Sequence, residues 1–451
     1  MPLVTVYIPS HNYGDYVGLA IESVLRQTFN DWELIVIDDN SSDNTSEVLN
    51  LYKDHPQISI HKTRGIGLPK VCNFAVSQSK GEFIIRLDGD DFFEENILLI
   101  LSNYLLEDPS IALVFPDYYL MDEYGKVFSR EGRKRLFEIN HVPDIPPHGA
   151  CTMIRKTVIE EIGGYREDLG AQDGFDLWSR VKNIHAVKNV NLPLFYYRQH
   201  GKNLTQNKHR IFSARRQIKK DAVKESLKSV EPVLAIIPCR ENYDFRKDLW
   251  SEKIGDKTLL ERDINVCLAS NFITTIIVTC DNLEAEKVVN KFDNPRVVFV
   301  PRDAKTTIRS SSLVPTVKAV LNIYDPAYNG LSVLRYIQTP FVSTNVLDEA
   351  ITSLVINNAD SSWGVEREKR KLFKRSSYGL EVLSNEDYSI TDFDMIYRDS
   401  KTFAAIRNKN LLTGSLSGPT GVCFEVSEEE CFFMNSERDL NFARLLISNE
   451  S

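Results

Sequence analysis

Phe83-Ile84-Ile85-Arg86-Leu87-Asp88-Gly89-Asp90-Asp91 is the stretch on which the reading of the fold turns. Its apolar opening, rich in Ile and Phe, reads as a buried strand, and three carboxylates with one glycine follow at the carboxyl end. Open α/β sheets bind ligands at that edge. Asp88, Asp90 and Asp91 repel one another unless a cation sits between them. All-oxygen ligands suit Mg²⁺ or Mn²⁺ rather than Zn²⁺, and a diphosphate would complete the coordination. A solvated acidic turn looks the same in so short a motif, so the flanking sequence has to decide.

Toward the amino terminus, Val4-Thr5-Val6-Tyr7-Ile8 is a β-branched run closed by Pro9, and the loop Ser10–Asp15 leads into a helical pattern from Val17 to about Gln27. A second strand, Glu33–Ile37, ends in Asp38-Asp39-Asn40-Ser41-Ser42, with Ser42 or Asp43 suited to cap the next helix. Ile58-Ser59-Ile60 is a third strand, and beyond Gly65-Ile66-Gly67 a helix runs through Asn73 to about Ser79. This β-α-β-α-β-α-β alternation predicts an α/β fold with a largely parallel sheet and right-handed crossovers.

The 451 residues exceed one core and predict two or three domains. Apolar and charged fractions of 42% and 26% are those of a soluble globular chain, which excludes fibrous and disordered classes. A net charge of −9 argues against a nucleic-acid partner, so an anionic ligand needs local cations or a metal. Seven scattered cysteines with no C-x-x-C spacing predict reduced, mostly buried thiols. With a strand starting near Val4 and no apolar run of membrane-spanning length, the expectation is a cytoplasmic protein, free or peripheral to the inner face of the membrane, with no transmembrane segment.

Together Ile8-Pro9-Ser10-His11-Asn12, Ser23–Phe29, Trp32–Asp43, Gly81-Glu82-Phe83 and Leu87–Asp91 resemble the family 2 glycosyltransferases of GT-A fold, over roughly the first 225 residues. The resemblance implies a nucleotide-sugar donor and a glycan or glycolipid acceptor. Pro9 and Asn12 would lie beside the donor, Asp39 would contact its base, Asp88 its ribose or sugar, and Asp90 would ligate the metal. Further on, Gln172-Asp173 precedes Asp176-Leu177-Trp178, where the family usually has Glu-Asp. Its aspartate is the base for the acceptor hydroxyl, a poor nucleophile until its proton is taken. Asp173 as a helix cap is the plain alternative. Tyr196-Tyr197-Arg198-Gln199-His200-Gly201 resembles the family's closing segment, whose histidine can join the metal. A hydrogen-bonded surface histidine is the other reading of His200. The processive members' Gln-x-x-Arg-Trp is absent, which favours addition of a single sugar.

Residues 1–206 are thus read as the transferase domain and 207–231 as a basic, helical linker, with Lys208, Arg210, Arg215, Arg216, Lys219, Lys220, Lys224 and Lys228 against Asp221 and Glu225. A solvated connecting helix is expected there, with contact to anionic lipid as the alternative. Residues 232–451 form a second module. Its Val233–Pro238, Cys239-Arg240, Asp256–Leu260, Thr275–Asn282, Arg309–Ser312, Val333–Pro340 and Asn435–Ala443 resemble the CMP-sialic acid and CMP-Kdo synthetases. The likeness implies a nucleotide site with Arg240 and, displaced, Lys247. Glu241 and Asp244 stand where phosphate would lie, and Cys431–Asn435 lacks the family's metal aspartates, so a non-catalytic module is expected. A bifunctional enzyme with an active cytidylyltransferase half, and a binding or assembly protein in both halves, are the alternatives. Oligomerisation stays open.

Overall fold

In a computed structural model of the chain, strand β1 (Val4–Ser10) is buried along its whole length, and its side chains alternate between two cores. Val4, Val6 and Ile8 enter one, and Tyr7 enters the other. Strand β2 (Trp32–Asp39) repeats the pattern, with Leu34 and Val36 on the first side and Ile35 and Ile37 on the second. A strand apolar on both faces needs helices on both faces, which is why these segments read as continuous apolar runs. The structure describes residues 1–132, 148–201, 208–228, 230–307, 312–368, 370, 372–377, 379–382 and 396–448. Two compact units divide the chain, Met1–Ile218 and Lys219–Ser451.

Helix α1 (Val17–Leu25) buries Val17, Ala20, Ile21 and Val24, the i, i+3, i+4, i+7 stripe of a helix lying on a sheet. Each fully buried Val or Ile of this kind contributes about 1.5–3 kcal/mol. There follow α2 (Thr45–Asn50), β3 (Ile58–Thr63), α3 (Leu68–Gln78), β4 (Phe83–Arg86), β5 (Phe92–Phe93), α4 (Ile97–Glu107), β6 (Ile111–Met121), β7 (Val127–Glu131), β8 (Met153–Arg155), α5 (Lys156–Glu161), α6 (Asp173–Lys182), β9 (Ala186–Arg198) and α7 (Lys208–Leu227). The strand order is β3-β2-β1-β4-β8-β6-β9-β5, with β7 beside β6. The four strands on which the reading rested are parallel. Beyond β4 the sheet is mixed, because β8 runs antiparallel to both β4 and β6. The cap of α2 falls at Asn44, one residue past the expected pair, although Asp43 accepts a hydrogen bond from the Thr45 amide at 3.0 Å.

The second unit holds β10 (Val233–Pro238), β11 (Lys253–Ile254), β12 (Lys257–Thr258), α8 (Leu259–Leu268), β13 (Thr275–Cys280), α9 (Glu284–Asn290), β14 (Val297–Pro301), α10 (Val314–Tyr324), β15 (Leu331–Arg335), α11 (Thr344–Ile356), β16 (Ser361–Arg367), β17 (Phe373–Ser376), β18 (Gly379–Val382), β19 (Tyr397–Asp399), β20 (Phe403–Arg407), β21 (Gly421–Glu425) and α12 (Glu437–Ser448). Its main sheet has the order β14-β13-β10-β15-β20-β16-β19, with β21 beside β16. Here β14, β13, β10 and β15 are parallel, and β20 follows antiparallel. This is the pattern of β3-β2-β1-β4-β8, so the two units share a sheet plan. The expected strand at Val333–Ile337 ends at Arg335. The Arg309–Ser311 run lies outside the described residues.

The basic stretch is helical as expected, in α7, but it is partly buried. It is no solvated linker: Ala214, Ile218, Val223 and Leu227 are buried, the first two in the first unit and the last two in the core of the second. Three of its cations have internal partners. Arg215 Nε donates to Gln172 Oε1 at 2.9 Å, buried Lys219 Nζ donates to Glu349 Oε1 at 3.2 Å and Ser353 Oγ at 3.1 Å, and Lys220 Nζ lies 2.8 Å from Asp348. Among the described residues no helix is long and apolar enough to cross a membrane.

Candidate active site

Strand β4 pairs with β1 up to Tyr7 and Arg86, and the Leu87 amide extends the ladder by donating to the Tyr7 carbonyl at 2.9 Å. The chain then turns through Asp88-Gly89-Asp90-Asp91 at the carboxyl ends of β1 and β4. Gly89 is required by close approach: a Cβ there would lie 3.2 Å from the Tyr13 ring and 3.4 Å from the Pro9 carbonyl oxygen. Pro9 thus walls the acidic turn.

The turn is fastened by β9. The Arg198 amide donates to Asp91 Oδ1 at 2.7 Å and its Nε to the Asp90 carbonyl at 2.9 Å. Asp91 Oδ2 is buried without a hydrogen-bond partner. Burial, followed by the charges of Asp90 and Asp88, pushes the Asp91 carboxyl well above the usual range. Burial likewise raises Asp88 to about 6, with Asp90 and Asp173 adding to the rise and Arg86 opposing it.

Asp90 and His200 come together, Oδ2 to Nε2 at 3.0 Å, and His200 stacks on Tyr16 with ring centres 5.6 Å apart. Neighbouring ligands of an octahedral ion with bonds of about 2.1 Å stand about 3 Å apart, so this spacing accommodates Mg²⁺ or Mn²⁺. Among the described residues no three His, Cys, Asp or Glu side chains form a metal cluster. Two protein ligands, with a donor diphosphate supplying others, is the usual arrangement for Mg²⁺. The oxygen donors, the imidazole and the unpartnered Asp91 oxygen fit such an ion.

Asp173 is the first residue of α6, not its cap. That place belongs to Gln172, at φ 64° with no side-chain capping bond. Gln172 therefore holds a left-handed backbone conformation, uncommon for a non-glycine residue, directly before Asp173. Gly149 and Gly174 let two backbones touch here, since a Cβ on Gly174 would lie 2.7 Å from the Gly149 Cα. Asp173 Oδ2 accepts a short hydrogen bond from Arg86 Nη1. Arg86 Nε also lies 2.9 Å from Asp88 Oδ1, and Nη2 donates to Asp88 Oδ2 at 3.3 Å. The arginine quoted as part of a strand is therefore the hub of the site, and sequence reasoning gave it no role.

Asp39 closes β2. Burial pushes its carboxyl up, but hydrogen bonds from Thr63 Oγ1 (2.5 Å), the Ile66 amide (2.8 Å), the Gly67 amide (2.9 Å) and the Gly65 backbone outweigh burial and hold it below the usual range. Asn12, exposed at φ 59°, ties the loops after β1 and β2 together. Its Oδ1 accepts from the Ser42 amide at 2.8 Å and its amide donates to Ser41 Oγ at 2.9 Å. One residue the reading passed over, His148, packs on Tyr197 with ring centres 4.5 Å apart, just before Gly149.

In the second unit Lys247 Nζ pairs with Glu241 at 2.8 Å, and Arg240 lies over the Tyr243 ring with Asp244 at 3.8 Å. Each cation expected at a nucleotide site thus faces a carboxylate of its own loop.

Residues 5–163 match the family Glycosyl transferase family 2. A chondroitin synthase of Escherichia coli is 26% identical over 211 residues, which are 46% of this chain and 30% of that protein. A UDP-Glc:alpha-D-GlcNAc-diphosphoundecaprenol beta-1,3-glucosyltransferase of Escherichia coli is 29% identical over 222 residues, 46% of this chain and 82% of that protein. The chain spans less than a third of the length of the synthase. Among solved structures, S. aureus TarS 1-349 in complex with UDP shares 16% identity at a TM-score of 0.41, over 50% of this chain and 66% of that one. The similarity to glycosyl transferase family 2 thus lies in the first unit, over residues 5–163.

Proposed function

We propose that the first unit transfers a sugar from a nucleotide-sugar donor to a hydroxyl of a glycan or glycolipid precursor, with inversion at the anomeric carbon. The observation that carries this reading is the convergence of Asp88 and Asp173, distant in sequence, on the two sides of Arg86 at one sheet edge. Asp173 takes the acceptor proton as the hydroxyl oxygen attacks the anomeric carbon. The bond from that carbon to the donor diphosphate breaks, and the nucleoside diphosphate leaves with the electron pair. Asp39 and the loop Thr63–Gly67 receive the base, with Pro9 and Asn12 at the rim and Asp88 beside the ribose or sugar. Asp90 and His200 would hold Mg²⁺ or Mn²⁺, which supplies charge neutralisation for the leaving diphosphate.

The names of the relatives suggest where to start. With Mn²⁺ present, a panel of UDP-, GDP- and CMP-sugars is expected to give metal-dependent donor hydrolysis with a UDP-sugar first. Hydrolysis of no donor, with or without an acceptor mixture, would overturn the assignment.

The second unit is read as a non-catalytic module for binding or assembly. CTP's triphosphate needs cations and backbone donors facing it, and here Lys247 and Arg240 face Glu241 and Asp244 instead. The full chain is expected to release no pyrophosphate from CTP with sialic acid, Kdo or related acidic sugars. Mg²⁺-dependent release above background would promote the bifunctional alternative.

A further inference from the structure

We propose that Arg86 is a positioning residue of the transfer reaction, its buried guanidinium fixing the base carboxylate of Asp173 on one side and the donor-side carboxylate of Asp88 on the other. The inference deepens the function proposed above and rests on it.

Four observations carry it. The Arg86 side chain is 6% exposed, and a charge so buried is placed by its partners rather than by solvent. Its fork is divided: Nη2 donates to Asp88 Oδ2 and Nη1 to Asp173 Oδ2, while Nε lies 2.9 Å from Asp88 Oδ1 as an ion pair without hydrogen-bond geometry. Space has been cleared for it, because a Cβ on Gly149 would lie 3.3 Å from Nη2. Finally, Cys72 Sγ, 3.8 Å from Nη1, bounds the same nitrogen. Only a planar fork with several donors can address two carboxylates at fixed angles, and an ammonium cannot. The second unit supplies a contrast. Arg335, at the end of the corresponding strand β15, is wholly buried, but it pairs with the core residue Asp263 at 2.8 Å and with the carbonyl of Thr339 at 2.5 Å. An arginine at this strand end can thus be held by a core carboxylate and a carbonyl, whereas Arg86 reaches Asp88 and Asp173.

What Arg86 does for the base follows from charge and geometry. It engages Oδ2 of Asp173, and among the described residues no hydrogen bond engages Oδ1, so one oxygen is anchored and the other is left for the acceptor. Among the described residues, the groups facing Asp173 are Arg86 and Asp88 from the end of β4, Cys72 from α3 and Tyr165 from the turn before α6. On its own helix, Asp176 pairs with Arg180 at 2.7 Å. Among the groups facing Asp173, Arg86 is the cation. Without it, Asp173 would face the Asp88 carboxylate with no cation opposite, and an adjacent cation is what favours the charged form of a carboxylate.

The test measures kcat against pH for wild type and Arg86→Met, with a ¹³C NMR titration of the Asp173 carboxyl in both. In Arg86→Met the acid limb and the carboxyl titration are expected to move up together by about one to three pH units, the range an adjacent cation accounts for. The plateau of kcat should fall about tenfold or more, as lost orientation predicts. Arg86→Lys keeps the charge and loses the fork, so it should leave the limb near its wild-type place and still lower the plateau. If Arg86→Met does not fold, Arg86→Lys decides, and a wild-type plateau in that variant overturns the proposal. A folded Arg86→Met with limb and titration unmoved overturns it as well. A wild-type chain that transfers no sugar overturns the functional reading itself. An active wild type with unmoved limbs overturns the role of Arg86 alone.

Discussion

Asp90→Ala is expected to lower sugar transfer about 10³-fold or more, with the melting curve little changed. Asp90 and His200 are the two side chains that meet at 3.0 Å beside the acidic turn, and both are almost wholly buried. Removing the carboxylate removes the anionic half of the pair that would hold Mg²⁺ or Mn²⁺. Charge stabilisation by such an ion amounts to several kcal/mol, at about 1.4 kcal/mol per factor of ten in rate. The fold should tolerate the change because Asp90 is one of three acids crowded at the end of β4, and its charge is among the causes that push Asp88 and Asp91 up. Losing it relieves like-charge repulsion while Arg198 still fastens the turn through Asp91. Dialysis against EDTA should reproduce the loss in the wild-type chain, and added Mn²⁺ should restore wild type but not Asp90→Ala. Full transfer in EDTA, or in the variant, would overturn the role.

The first four strands were legible because each is buried on both faces and so appears as an unbroken apolar run with an acidic or proline-marked end. The mixed half of the sheet was not. Its pivotal strand β8 is three residues long and β5 is two, too short for any periodicity to register. The basic stretch was legible as a helix, but its burial was hidden for a different reason. Its Lys and Arg content hid a sparse stripe, Ala214, Ile218, Val223 and Leu227, and no local pattern announces that Lys219 will find Glu349, 130 residues away. A lysine counted as solvated is a buried, paired one.

The site divides along the same line. Asp39, Asp88, Asp90, Asp173 and His200 could be named because they sit in motifs, but their partners could not. Arg86 lay in plain view inside the quoted strand. The signal was there, since a charged residue in a run otherwise wholly apolar must have a buried counter-charge. Identifying that counter-charge as Asp173 required the contact of Gly149 with Gly174, which only the folded chain reveals. Likewise Glu241 and Asp244 looked like repulsive charges in a phosphate loop, whereas the structure sets Lys247 and Arg240 against them.

Asp173→Asn is expected to lose about 100-fold or more in transfer rate, since a positioned base contributes about 10²–10⁴ to such a step. Donor affinity should be preserved. The substitution keeps size and shape, so α6 and the Gly149–Gly174 contact persist, and the amide oxygen can still accept from Arg86 Nη1. What disappears is the ability to take a proton: an amide nitrogen donates where the carboxylate accepted, and the acceptor hydroxyl must attack without help. On the proposed single displacement, with the base on the face opposite the departing diphosphate, the wild-type product should carry an anomeric configuration inverted relative to the donor, as read by NMR coupling constants. The two measurements are independent. A retained configuration would remove the direct displacement while leaving the donor site standing, and an unimpaired Asn variant would remove Asp173 from the chemistry.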